Sequence, residues 1–222
     1  MAKTHLKKLK VLTIDVDGCL ISYENVGGRF HSSWEAIGFA YGLNEIWSKR
    51  LDTFYGNPEY DKMWAEEDAK DLSGKDVDTA LKVLYPLPYC DGSQNFSIAS
   101  KGKFIRGLLT SAIDLVAKQA QKELGLDFCF CNTLHRNNGH FSGSLDYLVP
   151  LWEKDRLLPQ ICREYNVNLE EICHIGDNEN DIPVAEKVGL FIAVNPKTRK
   201  VETLANYIAE DFNQVSSFLG LK

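Results

Sequence analysis

A chain of 222 residues, 44% of them hydrophobic, can bury a full core and is long enough for one α/β domain with a large insertion. A formal net charge of −6, with no basic stripe beyond Lys7, Lys8 and Lys10, argues against nucleic acid as a partner. No window approaches the apolar length that crosses a bilayer, no targeting segment is read, and the six cysteines, without a C-x-x-C pair, read as buried reduced thiols; a soluble, cytoplasmic protein is expected.

Residues 11–15 form a near-continuous apolar run that fits a parallel strand buried on both faces, which puts Asp15 at its carboxyl end, the edge where open α/β sheets bind ligands. In an extended segment Asp15 and Asp17 point the same way, and Gly18 lets the chain turn just beyond them. Two like charges so placed call for a cation or a proton; an Asp-Gly turn that merely closes a strand is the plain alternative.

From residue 23 the texture becomes helical. Ser32-x-x-Glu35 is a capping box opening a first helix, a second starts near Asn44, Asn57-Pro58 starts a third, and Val77, Ala80, Leu81 and Leu84 mark a fourth. Residues 23–88 are thus expected to form an all-α cap inserted into a core made of 1–22 and 89–222. Trp34, Trp47 and Trp64 fall in the insertion, as core residues or as the lining of a pocket for an organic group.

Strand and helix then alternate. A helix is expected near 92–100, a strand at 104–109, a helix at 112–124 ended by Gly125, and a strand at 127–131. Asn137-Asn138-Gly139 reads as a hairpin turn. A helix at 152–165, a strand at 171–175, a helix at 182–188, a strand at 190–194 and a final helix, short strand and helix follow. Five strands with helical crossovers make an α/β fold with a Rossmann-like, doubly wound and mainly parallel sheet. His31, His135 and His140 lie near loops without spaced partners, so a His/Cys metal site is not expected.

Three further groups reach the edge of Asp15: Thr110 after the second strand, Lys154 entering a helix, and Asp177 with Asp181 after the 171–175 strand. Thr110 and the amide of Ser111 would face an anion at a helix N-terminus. Singly, these read as readily as an N-cap threonine, a solvated lysine and a polar loop. Together and in order, Asp15-Val16-Asp17-Gly18, Thr110, Lys154 and Gly176-Asp177-x-x-x-Asp181 resemble the four motifs of the haloacid dehalogenase superfamily, and the insertion resembles the helical cap of its phosphoserine phosphatase-like branch.

The resemblance implies a Mg²⁺-dependent phosphomonoesterase acting on a small phosphorylated metabolite, with Asp15 as nucleophile and Asp17 as general acid and base. Mg²⁺ would be held by Asp15, the backbone carbonyl of Asp17 and Asp177, supported by Asp181; Thr110, the Ser111 amide and Lys154 would hold the phosphate, and the cap would close as a lid. It also places Glu24 where the branch contacts substrate. The branch's carboxylate-binding arginine has no counterpart at 63–65, where Met63 and Trp64 stand, so a more apolar or cationic leaving group is expected and phosphoserine is expected to be a poor substrate; Arg29, on the Gly27-Gly28 joint, is the weaker alternative as a replacement for that arginine. A phosphotransferase or mutase on the same fold is the alternative enzyme. A receiver-like signalling domain is the alternative from another class, but it requires its acid to close the third strand, where Asp127 opens it.

Overall fold

The computed structural model describes residues 6–23 and 30–221. One seven-stranded sheet runs in the order β4-β3-β2-β1-β5-β6-β7, with β1 at Val11–Ile14, β2 at Ile105–Ile113, β3 at Phe128–Asn137, β4 at His140–Asp146, β5 at Ile172–Gly176, β6 at Leu190–Val194 and β7 at Tyr207–Ala209. All neighbours are parallel except β3 and β4, which form a hairpin. Its turn puts Asn138 at φ 49° and Gly139 at φ 77°, the two left-handed residues that a tight hairpin matched to strand twist requires.

The four residues of β1 are all buried, as a strand covered on both faces must be. Leu12 and Ile14 join one apolar cluster, whereas Val11 joins the other with Leu109, Phe130 and Ile161. Chain order reverses at β1, between β2 and β5, so the crevice at its carboxyl end is the topological switch point.

Helices α1 (Ser33–Ala40), α2 (Asn44–Phe54), α3 (Asp61–Asp71) and α4 (Val77–Leu84) make up the insertion. Ser32 caps α1, its side chain accepting from Glu35 N at 3.2 Å, and Asp76 caps α4, accepting from Thr79 N at 2.9 Å. The chain enters and leaves side by side: Ser22 N donates to Pro88 O, and Cys90 N to Leu20 O, each at 3.0 Å. The insertion is also tied to the β3–β4 hairpin, since Gly74 N donates to Phe141 O at 2.8 Å, Phe141 N to Lys75 O at 2.9 Å and Val77 N to Gly139 O at 2.8 Å. Its apolar residues Ala36, Ile37, Trp47 and Leu72 belong to the same buried cluster as Leu12 and Ile14. The insertion therefore has no core of its own; it extends one face of the sheet.

The remaining helices are α5 (Ser93–Ser100), α6 (Asp114–Leu124), α7 (Leu158–Tyr165), α8 (Ile182–Ala185), α9 (Arg199–Leu204) and α10 (Phe212–Phe218). None of the described helices is long and apolar enough to cross a membrane.

Two expectations are corrected. The second strand does not stop at 109 but runs to Ile113, with a register shift against β3 between Leu109 and Ile113. Buried Ala112 and Ile113 extend the strand until a helix begins at Asp114, so Thr110 and Ser111 stand on an irregular strand just ahead of that helix and not at its N-terminus. The 152–165 helix is only α7, preceded by a 3-10 turn at Lys154–Leu157, because Pro159 lacks an N–H and belongs in a first turn. The hairpin and the tail bring the five crossover strands to seven in one sheet.

Candidate active site

Asp15 leaves β1 with its amide still paired to Ile175 O at 2.9 Å, and its side chain is buried at the switch point. Lys154 arrives from the 3-10 turn, fully buried, with Nζ 3.0 Å from Asp15 Oδ2 and 2.7 Å from Asp181 Oδ1. Burial pulls the Lys154 pKa down, but the Asp15 and Asp181 carboxylates outweigh it and the ammonium is held firmly charged. Burial raises the Asp15 pKa, against the lowering effect of Lys154 and the Thr110 hydroxyl.

Asp181 is the hub of this group. Its Oδ1 also meets His174 Nε2 at 3.1 Å, and its Oδ2 accepts from the amides of Asp177 at 3.0 Å and Asn178 at 3.3 Å. Burial alone would raise its pKa; Lys154 and His174 reverse that and hold it below the usual carboxylate range. His174 bridges onward, with Nδ1 2.9 Å from Thr13 Oγ1, its partner in the β1–β5 register. The sequence reading missed His174. Its signal was a polar residue inside an otherwise apolar strand, opposite Thr13 in the neighbouring one.

Asp17 is only partly buried as a residue, but its Oδ1 is closed off from solvent without a hydrogen-bond partner. Its Oδ2 accepts from Ser33 Oγ at 2.7 Å. Desolvation pushes its pKa up to about 7, although the Ser33 hydroxyl and amide both work against the rise. Ser33 is the first residue of α1, so the insertion reaches into the site. Only the residue beside it, Ser32, was legible as a cap.

Asp177 is buried and its Oδ1 also has no partner. Burial, followed by the charges of Asp181 and Asp15, raises its pKa well above the ordinary value. Gly18 makes this approach feasible: at φ +83° it turns the chain, and a Cβ there would stand 2.4 Å from Asp177 Oδ2. Carboxylate oxygens of Asp15, Asp177 and Asp181 lie within 4.8 Å of one another. Asp181 is already engaged by four donors, so Asp15 and Asp177 are the oxygens left for a cation. An all-oxygen set with an orphaned buried carboxylate oxygen suits a hard divalent ion, so the residues fit the metal that the resemblance implies.

Thr110 Oγ1 accepts from Ala112 N at 3.1 Å, and Ser111 Oγ and Asn180 Oδ1 are buried without partners. Asp15, Asp17, Thr110, Ser111, Lys154, Asp177 and Asp181 thus come together in one cup at the switch point, whereas Glu24 lies outside the described residues. A cavity of about 960 Å³ continues from Asp15 and Asp17 into the insertion, past Trp34, Trp47, Trp64 and Asp61.

A family model described as haloacid dehalogenase-like hydrolase matches residues 116–219. The phosphoserine phosphatase of Methanocaldococcus jannaschii is 26% identical over 193 residues, 84% of this chain and 86% of the relative. That of Saccharomyces cerevisiae is 28% identical over 86% of this chain but only 60% of its own length. Among solved structures, a phospho-aspartyl intermediate analogue of phosphoserine phosphatase superposes with a TM-score of 0.78 at 20% identity, over 95% of this chain and 98% of that one. A substrate-bound phosphoserine phosphatase complex gives 0.79 at 19% identity, with the same coverage.

Proposed function

For a chain of the haloacid dehalogenase superfamily, phosphoserine phosphatase-like in sequence and fold, we infer that Asp15 is the nucleophile of a phosphomonoesterase acting on a small phosphorylated metabolite of the cytoplasm. The observation that carries this reading is the pairing in the cup: Asp15 within 3.0 Å of Lys154, and Asp17 two residues on with a carboxylic acid held near neutrality.

An Asp15 oxygen attacks phosphorus in line as the bond to the alcohol oxygen breaks. Lys154 holds charge off the phosphoryl oxygens, which the Thr110 hydroxyl and the Ser111 amide position. A dianion does not approach a carboxylate unless charge is neutralised, and a divalent cation, Mg²⁺ by the resemblance, held by Asp15, Asp177 and the main-chain carbonyl of Asp17, supplies that neutralisation when bound. Asp17, with a pKa of about 7, gives its proton to the leaving alkoxide and then takes one from the water that attacks the aspartyl phosphate, releasing inorganic phosphate and Asp15. Ser33 keeps the Asp17 carboxylate turned toward the insertion. Residues 23–88 serve as the cap that covers the cup and receives the alcohol; 1–22 and 89–222 serve as the catalytic core.

Release of inorganic phosphate from p-nitrophenyl phosphate, lost in chelator and restored by Mg²⁺, is the expected result. Undiminished turnover in chelator, or phosphate trapped on a residue other than Asp15, would refute the assignment. Phosphate passed to a second alcohol with none released would mark a phosphotransferase instead.

A further inference from the structure

With the phosphate in the cup, the cap end of the cavity receives the leaving alcohol. Its walls are aromatic: Trp34, Trp47, Tyr55 and Trp64 line it. Trp34 Nε1 donates to Ser111 O at 3.2 Å and Trp47 Nε1 to Asp71 Oδ2 at 3.1 Å, and the two rings stand 6.3 Å apart. With their N–H edges tied down, these rings have their apolar faces left for the cavity. The Trp47 ring occupies the space beside bare backbone, since a Cβ on Gly38 would come within 2.7 Å of it.

Apart from His31, the charged side chains described along the cavity are carboxylates. Asp61 and Asp68 line it, 7% and 4% exposed, and among the described residues no lysine or arginine does. Arg50 of α2 lies nearby, but Asp68 at 2.7 Å, Asp71 at 2.6 Å and Glu67 at 3.2 Å already surround it. Three carboxylates share this one guanidinium, so Arg50 is not free to pair an entering anion. A leaving group bearing a carboxylate would be desolvated beside Asp61 and Asp68 with no described lysine or arginine in the lining to pair it. A cation there gains from both the acids and the aromatic faces.

We propose that the cap end selects phosphate monoesters of amino alcohols, whose leaving group carries an ammonium or quaternary ammonium and no carboxylate. This rests on the phosphomonoesterase reading above, and p-nitrophenyl phosphate separates the two: failure to hydrolyse it sinks that reading, whereas the proposal is judged on ratios among esters that the enzyme does hydrolyse.

Two pairs of esters isolate the charge. Phosphocholine against its neutral carbon isostere, 3,3-dimethylbutyl phosphate, differs only in the cation; O-phosphoethanolamine against O-phosphoserine differs only in the carboxylate. In each pair kcat/KM is expected to favour the first by about tenfold or more. Asp61→Asn and Asp68→Asn should each bring the phosphocholine-to-isostere ratio toward one, a readout internal to each variant that a general loss of activity does not move. Equal rates within the first pair, phosphoserine leading the second, or a ratio unchanged in both variants would each overturn the proposal.

Discussion

The catalytic cup and the cap cavity are both rich in buried acids, but they neutralise them differently. In the cup, Lys154 sits between Asp15 and Asp181, and Asp181 is satisfied by two side chains and two amides. In the cap, Asp68 shares a single guanidinium with Asp71 and Glu67, Asp61 accepts from the Leu151 amide at 2.7 Å, and aromatic rings line the cavity beside them. The cup is organised to hold one arrangement of charge through a reaction. The described part of the cap presents carboxylates and aromatic rings to whatever enters. On the function proposed above, catalysis would depend on preorganisation at the first and selectivity on complementarity at the second.

The contrast is tested most sharply at the cup. Asp15→Asn should lower phosphate release by about 10⁴-fold or more, with no phosphoenzyme detectable by mass spectrometry. Lys154→Met should remove the only described cation between two buried carboxylates and cost about 3–5 kcal/mol in urea unfolding, as well as activity. A fully stable variant would mean that the cup's charges are not coupled as described.

Ser33→Ala joins the two regions, because it deletes the cap's hydrogen bond to Asp17. A bond to a charged acceptor is worth about 1.5–3 kcal/mol, so kcat should fall roughly tenfold or more while the fold stands. An unchanged kcat would uncouple the cap from acid–base catalysis.

The smallest effect belongs to the cap. Burial, opposed by Arg50, pushes the Asp68 pKa from the ordinary 3.8 up to about 7. The folded state then binds this proton more tightly than the unfolded chain does. Its stabilising contribution is full below about pH 4 and is lost as pH rises through 7. Asp68→Asn should flatten the decline in the urea midpoint across that window; an identical slope in the variant would show that Asp68 does not titrate there.

Where local pattern carries the information, the chain was legible. The buried run of β1, the Ser32 cap, the Asn-Gly hairpin and the acidic loop after β5 each announce themselves within a few residues, and the first and last put Asp15, Asp17, Asp177 and Asp181 at one edge. The end of β2 was misread because Ile113 is held as strand by pairing with Asn132 of β3, a partner distant in sequence. His174 was passed over for the same reason, its role being fixed by Thr13 across the register and by Asp181 beyond the turn.

By itself the sequence determined the layers, the carboxyl edge of the sheet and the acids that gather there, because periodicity and spacing act along the chain. Tertiary structure alone decided that Lys154 is buried between Asp15 and Asp181, that Ser33 holds Asp17, and that Arg50 is occupied by carboxylates and does not line the cavity. Those outcomes depend on which charges are desolvated together, and desolvation is a property of packed neighbours that no local window contains.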